Sequence, residues 1–401
     1  MSFISKKLSV IKPSPTLAVT RKAGELKRAG KDVISLGAGE PDFDTPVHIK
    51  EFAKKAIDNG QTKYTDVDGT PELKKAIVEK FKRENHLEYQ TNQITVGTGG
   101  KQVIYNAFMA TLNAEDEVII PAPYWVSYPD MVLLAGGKPV IVPTLAKNNF
   151  KLKAKELEKA ITKNTKWLIL NSPSNPTGAT YTYDELKEIA NLLLAHPQVH
   201  ILSDDIYEHI IYDNFKFYTI AQFDKKLFER TITVNGVSKA YAMTGWRIGY
   251  AGAYNTDLIK AISVIQSQST SNPSSVSQAA SVGALNGDSA FLQDRNKVFQ
   301  KRRDFMVEGL NSIKGISCNK PEGAFYVFPA CDKLFGKKTP QGKVIKDDND
   351  FCEFLLDEAL LAVVSGTAFG MNGFFRISYA TSDEILKKAL VRISDAVKKL
   401  V

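Results

Sequence analysis

Arg230-Thr-Ile-Thr-Val-Asn-Gly-Val-Ser-Lys239-Ala-Tyr-Ala-Met-Thr-Gly-Trp-Arg247-Ile-Gly-Tyr250 opens as a strand and continues as a loop of small residues. The apolar run over 230–234 predicts a buried strand. Glycine and serine after it let the backbone approach a bound group closely. Lys239 in that loop is poised for imine chemistry if a dry pocket lets its amine lose a proton, and Arg247 offers a fixed fork for a phosphate. The alternative is a solvated surface lysine, and the neighbouring motifs bear on the choice.

Outward from this run, short β-branched segments recur at 94–96, 118–120, 139–142, 167–170, 200–202, 231–234 and 249–251, mostly with helix-length stretches between them. That rhythm predicts an α/β fold with a largely parallel sheet covered on both faces. The intervening helices carry start signals. Thr70-Pro71-Glu72 precedes Leu73, Ile77 and Phe81 on one face, and Thr182 with Glu185 makes a capping box before Leu186 and Ile189. After about residue 286 the rhythm changes. A long charged helix over 293–310 leads into antiparallel-looking strands at 324–328, 362–364 and 374–379, which predicts a second domain. Ser382 starts a closing helix with Leu386, Leu390, Ile393, Val397 and Leu400 on one stripe. The two prolines of Ile11-Lys-Pro-Ser-Pro-Thr16 exclude regular structure there, and the Lys-rich stretch 336–349 reads as a mobile surface loop.

At 401 residues with 43% hydrophobic composition, the chain is globular and exceeds one ordinary core. The net charge of +8 comes from lysines that alternate with acids, as in Lys153-Ala-Lys-Glu-Leu-Glu-Lys159. This is a solvated surface rather than a nucleic-acid footprint. Cys318, Cys331 and Cys352 lack metal-ligand spacing and fit a reduced cytoplasmic compartment. The N-terminus has no sustained apolar region, and no segment approaches the roughly 18 apolar residues of a membrane span. A soluble, unexported protein is expected.

Ligands of such sheets gather at the carboxyl ends of the strands. Gly97-Thr-Gly-Gly-Lys101 follows the first run and opens a helix, which makes an anion seat at Gly99 and Gly100. It is not a nucleotide-triphosphate loop, because Thr95 stands where that loop needs glycine and Gln102 where it needs serine or threonine. Pro121-Ala-Pro-Tyr-Trp125 places an aromatic either at the rim or in the core. In Asn171-Ser-Pro-Ser-Asn-Pro-Thr-Gly178, Asn175 either serves a tight turn, with Asn175–Pro176 a candidate cis bond, or aims its amide at a ligand. Ser203-Asp-Asp-Ile-Tyr207-Glu-His209 carries two adjacent acids that are expensive to bury unless one meets a cation. A metal site on Asp204, Asp205 and His209 lacks a companion cluster, so no metal is expected.

Taken in order, Gly39-Glu-Pro-Asp-Phe43, Lys63-Tyr64-Thr with Gly69, Pro123-Tyr-Trp125, Asn175-Pro-Thr-Gly178, Asp204-Asp-Ile-Tyr207, Ser238-Lys239, Arg247 and Phe375-Arg376-Ile-Ser-Tyr379 span essentially the whole chain. This pattern resembles the class I and II aminotransferases, in the aspartate aminotransferase family and its aspartate/prephenate branch. The resemblance implies a fold-type-I transferase dependent on pyridoxal 5′-phosphate. Its seven-stranded, mostly parallel sheet would lie in a large cofactor-binding domain (48–292), with a smaller α+β domain (293–401) and an N-terminal segment (1–47) packing on the latter.

The same resemblance implies roles. Lys239 would hold the cofactor and move the substrate α-proton, and Asp204 would keep the pyridine nitrogen protonated. Tyr207 and Asn175 would meet the ring oxygen, and Trp125 would stack on the ring. Gly99, Gly100, Ser238 and Arg247 would seat the phosphate beside Lys101, joined by Tyr64 from a second subunit of a homodimer. Arg376 would grip the substrate α-carboxylate with the Gly39 backbone closing the pocket. Lys101 would meet the distal carboxylate, and Lys12 and Thr16 would bear on prephenate. Asp205 departs from the glutamate usual in relatives, and Ser238 from the alanine of some. The implied reaction exchanges an amino group between L-aspartate and 2-oxoglutarate, with prephenate as a further acceptor. An aromatic or alanine aminotransferase, or a carbon–sulfur lyase on the same scaffold, is the alternative.

Overall fold

The computed structural model describes all residues except 1, 2, 12 and 14. Strand β1 (Ile34–Ser35) lies near the N-terminus, and β2 (Ile94–Gly97), β3 (Glu117–Ala122), β4 (Lys138–Pro143), β5 (Thr165–Asn171), β6 (His200–Asp204), β7 (Thr231–Gly236) and β8 (Gly249–Ala253) follow. The last seven form one sheet in the order β2-β8-β7-β6-β5-β3-β4. Only β8 runs against its neighbours; the pairs from β7 to β4 are all parallel. Each of the seven β-branched runs therefore becomes a strand of this sheet.

The core explains why the inner strands read as continuous apolar runs. Along β5, Trp167 and Ile169 face one cluster with Ile104, Phe108, Ile232 and Ile262, whereas Leu168 and Leu170 face another with Leu186, Ile189 and Leu193. Both faces are covered by helices, so alternation of polar and apolar residues is absent. The edge strand β4 is largely accessible, while β7 is buried at every residue. Predicted caps form as read. The Thr70 hydroxyl accepts from the Leu73 N–H with Pro71 in the first turn, and Thr182 and Glu185 exchange both bonds of a capping box.

C-terminal to the sheet come the helix Phe291–Asn311, then β9 (Tyr326–Val327), β10 (Leu361–Ala362), β11 (Val364–Ser365) and β12 (Phe375–Ser378). Strands β11, β12 and β9 form an antiparallel three-stranded sheet. Its core takes Phe299, Met306 and Leu310 from that helix, Phe351 and Leu355 from Asp348–Ala359, and Leu386, Leu390 and Ile393 from Asp383–Lys398. β1 pairs in parallel with β10, which draws the N-terminal segment onto this unit. The expected strand at 362–364 divides in two, because β10 and β11 pair with different partners.

Two expectations are corrected. Residues 15 and 16 are helical: Pro15–Arg28 is an α-helix, and a proline at the first helical position loses no intrahelical bond. Lys12 lies outside the described residues. The stretch 336–349 is tied down rather than free, since Ile345 is wholly buried, the Gly336 N–H donates to Ile345 O, and the Lys338 N–H donates to Val401 O. Among the described residues, no helix is long and apolar enough to cross a membrane.

Candidate active site

A cavity of about 550 Å³ opens at the carboxyl ends of the parallel strands. The helix start after β2 brings Gly100 and Lys101, the loop after β3 brings Trp125, and the turn after β5 brings Asn175. Asp204 at the end of β6, with Tyr207 just beyond it, and Ser238 and Lys239 after β7 complete this wall. From across the cavity come Gly37–Glu40, Thr16 of the first helix, Tyr326 of β9 and Arg376 of β12.

Lys239 donates from Nζ to Gly39 O at 2.6 Å. Its pKa is pulled down to about 8, first by burial, with Glu40 opposing and Arg247 and Arg376 adding to the drop. A neutral amine is thus accessible near physiological pH.

Asp204 closes β6 and Asp205 follows it outside the strand, and the two carboxylates meet different partners. Asp204 lines the cavity, and its carboxylate accepts from the Tyr128 hydroxyl and from the Ile206 N–H. Burial pushes its pKa up to about 6 despite those bonds and the nearby Lys239. Among the described residues no cation pairs with it within 4 Å, so the carboxylate suits a protonated ring nitrogen supplied from outside the chain. Asp205 turns away to the Ser203 hydroxyl at 2.7 Å, and burial raises it to about 7. His209 joins neither of them. It sits with Glu84 and Glu208, where the Lys80 ammonium already contacts Glu208.

Arg376 is 2% exposed and stacked between the Tyr326 ring at 4.6 Å and the Phe369 ring at 4.9 Å. It donates from Nη1 to Asn175 Oδ1 at 2.8 Å and from Nη2 to Gly37 O at 2.6 Å, while Nε has no acceptor. No carboxylate of the described residues pairs with it, so this buried guanidinium fits a carboxylate ligand. Asn175 therefore serves the arginine through its side chain. The cis bonds of the region are Ala122–Pro123 and Ser172–Pro173, and Asn175–Pro176 is not one of them.

At the helix start, Gly99 has φ 85°, and a Cβ there would lie 2.4 Å from Arg247 Nη2. Only glycine lets the guanidinium and the helix N-terminus approach one anion so closely. Arg247 is held by Thr244 O at 3.1 Å, and the buried Ser238 lines the same cavity. Lys101 Nζ lies 5.0 Å over the Trp125 ring, and burial and then Arg247 lower its pKa. Tyr64 is not brought to the cavity of its own chain. It is 92% exposed and lines a separate hollow with Phe52 and Lys63.

Tyr128 and Tyr326 are among the cavity residues that escape sequence reasoning. Tyr128, which caps Asp204, follows Trp125 by three positions, and the aromatic density of Pro123-Tyr-Trp-Val-Ser-Tyr128 was a usable signal. Tyr326 reads only as a strand residue, because its contacts come from residues 39, 207 and 376.

The family described as Aminotransferase class I and II matches residues 31–393. A probable aspartate/prephenate aminotransferase of Rickettsia bellii is 62% identical over 99% of both chains. The crystal structure of an aspartate aminotransferase from Rhizobium meliloti superposes with a TM-score of 0.97 at 57% identity, covering 100% of each chain. An aspartate aminotransferase from Thermus thermophilus with maleate gives 0.92 at 43% identity, over 99% of this chain and 100% of that one.

Proposed function

The chain belongs to the class I and II aminotransferases, a fold-type-I family, and from that we infer reversible amino transfer between L-aspartate and 2-oxoglutarate, giving oxaloacetate and L-glutamate. Prephenate is a further acceptor in this reading, supported by the name of the Rickettsia relative. The observation that carries it is the meeting in one cavity of Lys239 with a buried Asp204 and a buried Arg376 that, among the described residues, have no ion-pair partner within 4 Å.

Pyridoxal 5′-phosphate, when bound, supplies an aldehyde carbon for the amino group and a ring nitrogen that draws electrons from the substrate α-carbon. Lys239 would hold it covalently, and its neutral Nζ would take the proton from the substrate α-carbon. Asp204, steadied by Tyr128, would keep a proton on the ring nitrogen. Gly99, Gly100, Ser238 and Arg247 would receive the phosphate, Tyr207 would donate to the ring oxygen, and Trp125 would provide a flat wall for the ring. Arg376 binds the α-carboxylate through donors that Asn175 and Gly37 leave unused. Lys101 takes the distal carboxylate, and the dicarboxylate maleate named with the Thermus neighbour supports that preference. Thr16, with Lys12 before it, bears on larger acceptors. The fully projecting Tyr64 supports a homodimer in which it reaches the partner's phosphate seat. The division 1–47, 48–292 and 293–401 is supported by the two separate sheets and by the β1–β10 pairing. A cytoplasmic location is supported by the unpaired cysteines.

The test is a coupled assay offering aspartate and glutamate against oxaloacetate, 2-oxoglutarate and prephenate. Turnover of the dicarboxylate pair is expected. Parallel reactions offer aromatic amino acids, alanine and cysteine S-conjugates; turnover confined to those donors, or release of a thiol from the conjugates, overturns the reading.

A further inference from the structure

We propose that Tyr326 is a positioning residue that joins the carboxylate clamp to the cofactor-facing phenol, its ring serving Arg376 and its hydroxyl serving Tyr207. The inference rests on the function proposed above. Tyr326 is wholly buried in β9, where it pairs with Ser378 of β12, next to Arg376 and Ile377. That register sets its ring 4.6 Å from Arg376 Cζ, with Phe369 at 4.9 Å completing the sandwich. A stacked guanidinium keeps its plane, and so the direction of its donors, fixed.

The hydroxyl acts elsewhere. Tyr326 Oη lies 2.8 Å from Tyr207 Oη, the rings edge-to-face at 5.8 Å. Each phenol has one proton to donate. When Tyr326 donates to Tyr207, the Tyr207 proton is free for an oxygen in the cavity. The same hydroxyl leaves no room at Gly39, where a Cβ would fall 2.6 Å from it; the Gly39 carbonyl is the acceptor that holds Lys239 Nζ. One side chain of the second sheet thus touches the supports of three groups that must act together.

Ring and hydroxyl should therefore separate on mutation. With Tyr326→Phe, titration of the apoprotein with pyridoxal phosphate, followed by tryptophan fluorescence, should give a dissociation constant raised about three- to tenfold, the size of one hydrogen bond. The KM for the amino donor should stay within about twofold of wild type. With Tyr326→Leu, that KM should rise at least about tenfold, as expected when a desolvated cation–π support is lost. If the leucine variant shows no cooperative thermal transition, Phe369→Leu removes the other face of the sandwich and should raise KM in the same way. An unchanged cofactor constant in Tyr326→Phe, or equal KM losses in the phenylalanine and leucine variants, overturns the proposal. A wild-type protein that fails to bind pyridoxal phosphate overturns the underlying function instead, which this titration reads before any variant is compared.

Discussion

The two ends of the seven-stranded sheet hold cations of the same kinds and use them oppositely. At the amino end, Lys166 donates to Thr111 O at 2.6 Å and to Asp116 at 2.7 Å, and Arg230 donates to Leu193 O at 2.6 Å and His196 O at 2.9 Å. These carbonyls close the helices Gly100–Thr111 and Tyr183–Leu194, so the charges offset helix C-termini and stabilise the fold. In the cavity off the carboxyl end, Arg376, which reaches across from β12 of the three-stranded sheet, keeps an unsatisfied Nε, and Lys239 rests on a single carbonyl. Cations left without a counter-charge are costly to the empty protein and valuable once dianionic ligands arrive. The difference separates residues that hold the sheet together from residues that wait for a substrate.

Substituting one cation at each end should expose that division. Arg376→Leu should lower kcat/KM for aspartate by roughly 30- to 5,000-fold, the range for losing one partner of a buried charge pair. Its apoprotein should melt no lower than wild type, because an unpaired buried charge has gone. Arg230→Ala should do the reverse. Loss of charge-assisted bonds to three carbonyls should remove about 1.5–3 kcal/mol from unfolding in urea, with the KM for aspartate unchanged. Activity loss in the second variant with unaltered stability would erase the contrast.

The lysine sharpens it through pH. Lys239 titrates near 8 in the folded protein, below its ordinary 10.5, so between those values the unfolded chain holds the extra proton. Stability from this group is fully present above 10.5 and is lost as pH falls through about 8. Lys239→Met should therefore stabilise the apoprotein at pH 7 by on the order of 1–3 kcal/mol, with the gain shrinking toward pH 10.5 in denaturant titrations. A gain that grows with pH would contradict the assignment. The smallest effect belongs to a purely architectural group: Thr70→Ala should cost about 1 kcal/mol of unfolding free energy through its helix cap, with turnover untouched.

Local signals made much of this legible. Period and β-branching located the seven strands, and caps located the helices at Pro71 and Tyr183, because those preferences act within a few residues. Lys239, Asp204 and Asn175 were legible because strand ends of a parallel sheet converge, whatever their spacing in the chain. The start of the helix Pro15–Arg28 is not legible from its prolines, because proline breaks a helix interior yet suits a first turn. Tyr326 stayed hidden for a different reason. Its partners are set by how the second sheet docks against the first, which no short window contains.

Lys239 is the residue proposed to carry the cofactor. Loading the protein with pyridoxal phosphate, reducing it with borohydride and locating the pyridoxyl group by peptide mass spectrometry tests this directly. A single modification on Lys239 is the predicted result. A pyridoxyl group on any other lysine with Lys239 unmodified, or no modification at all, would contradict it.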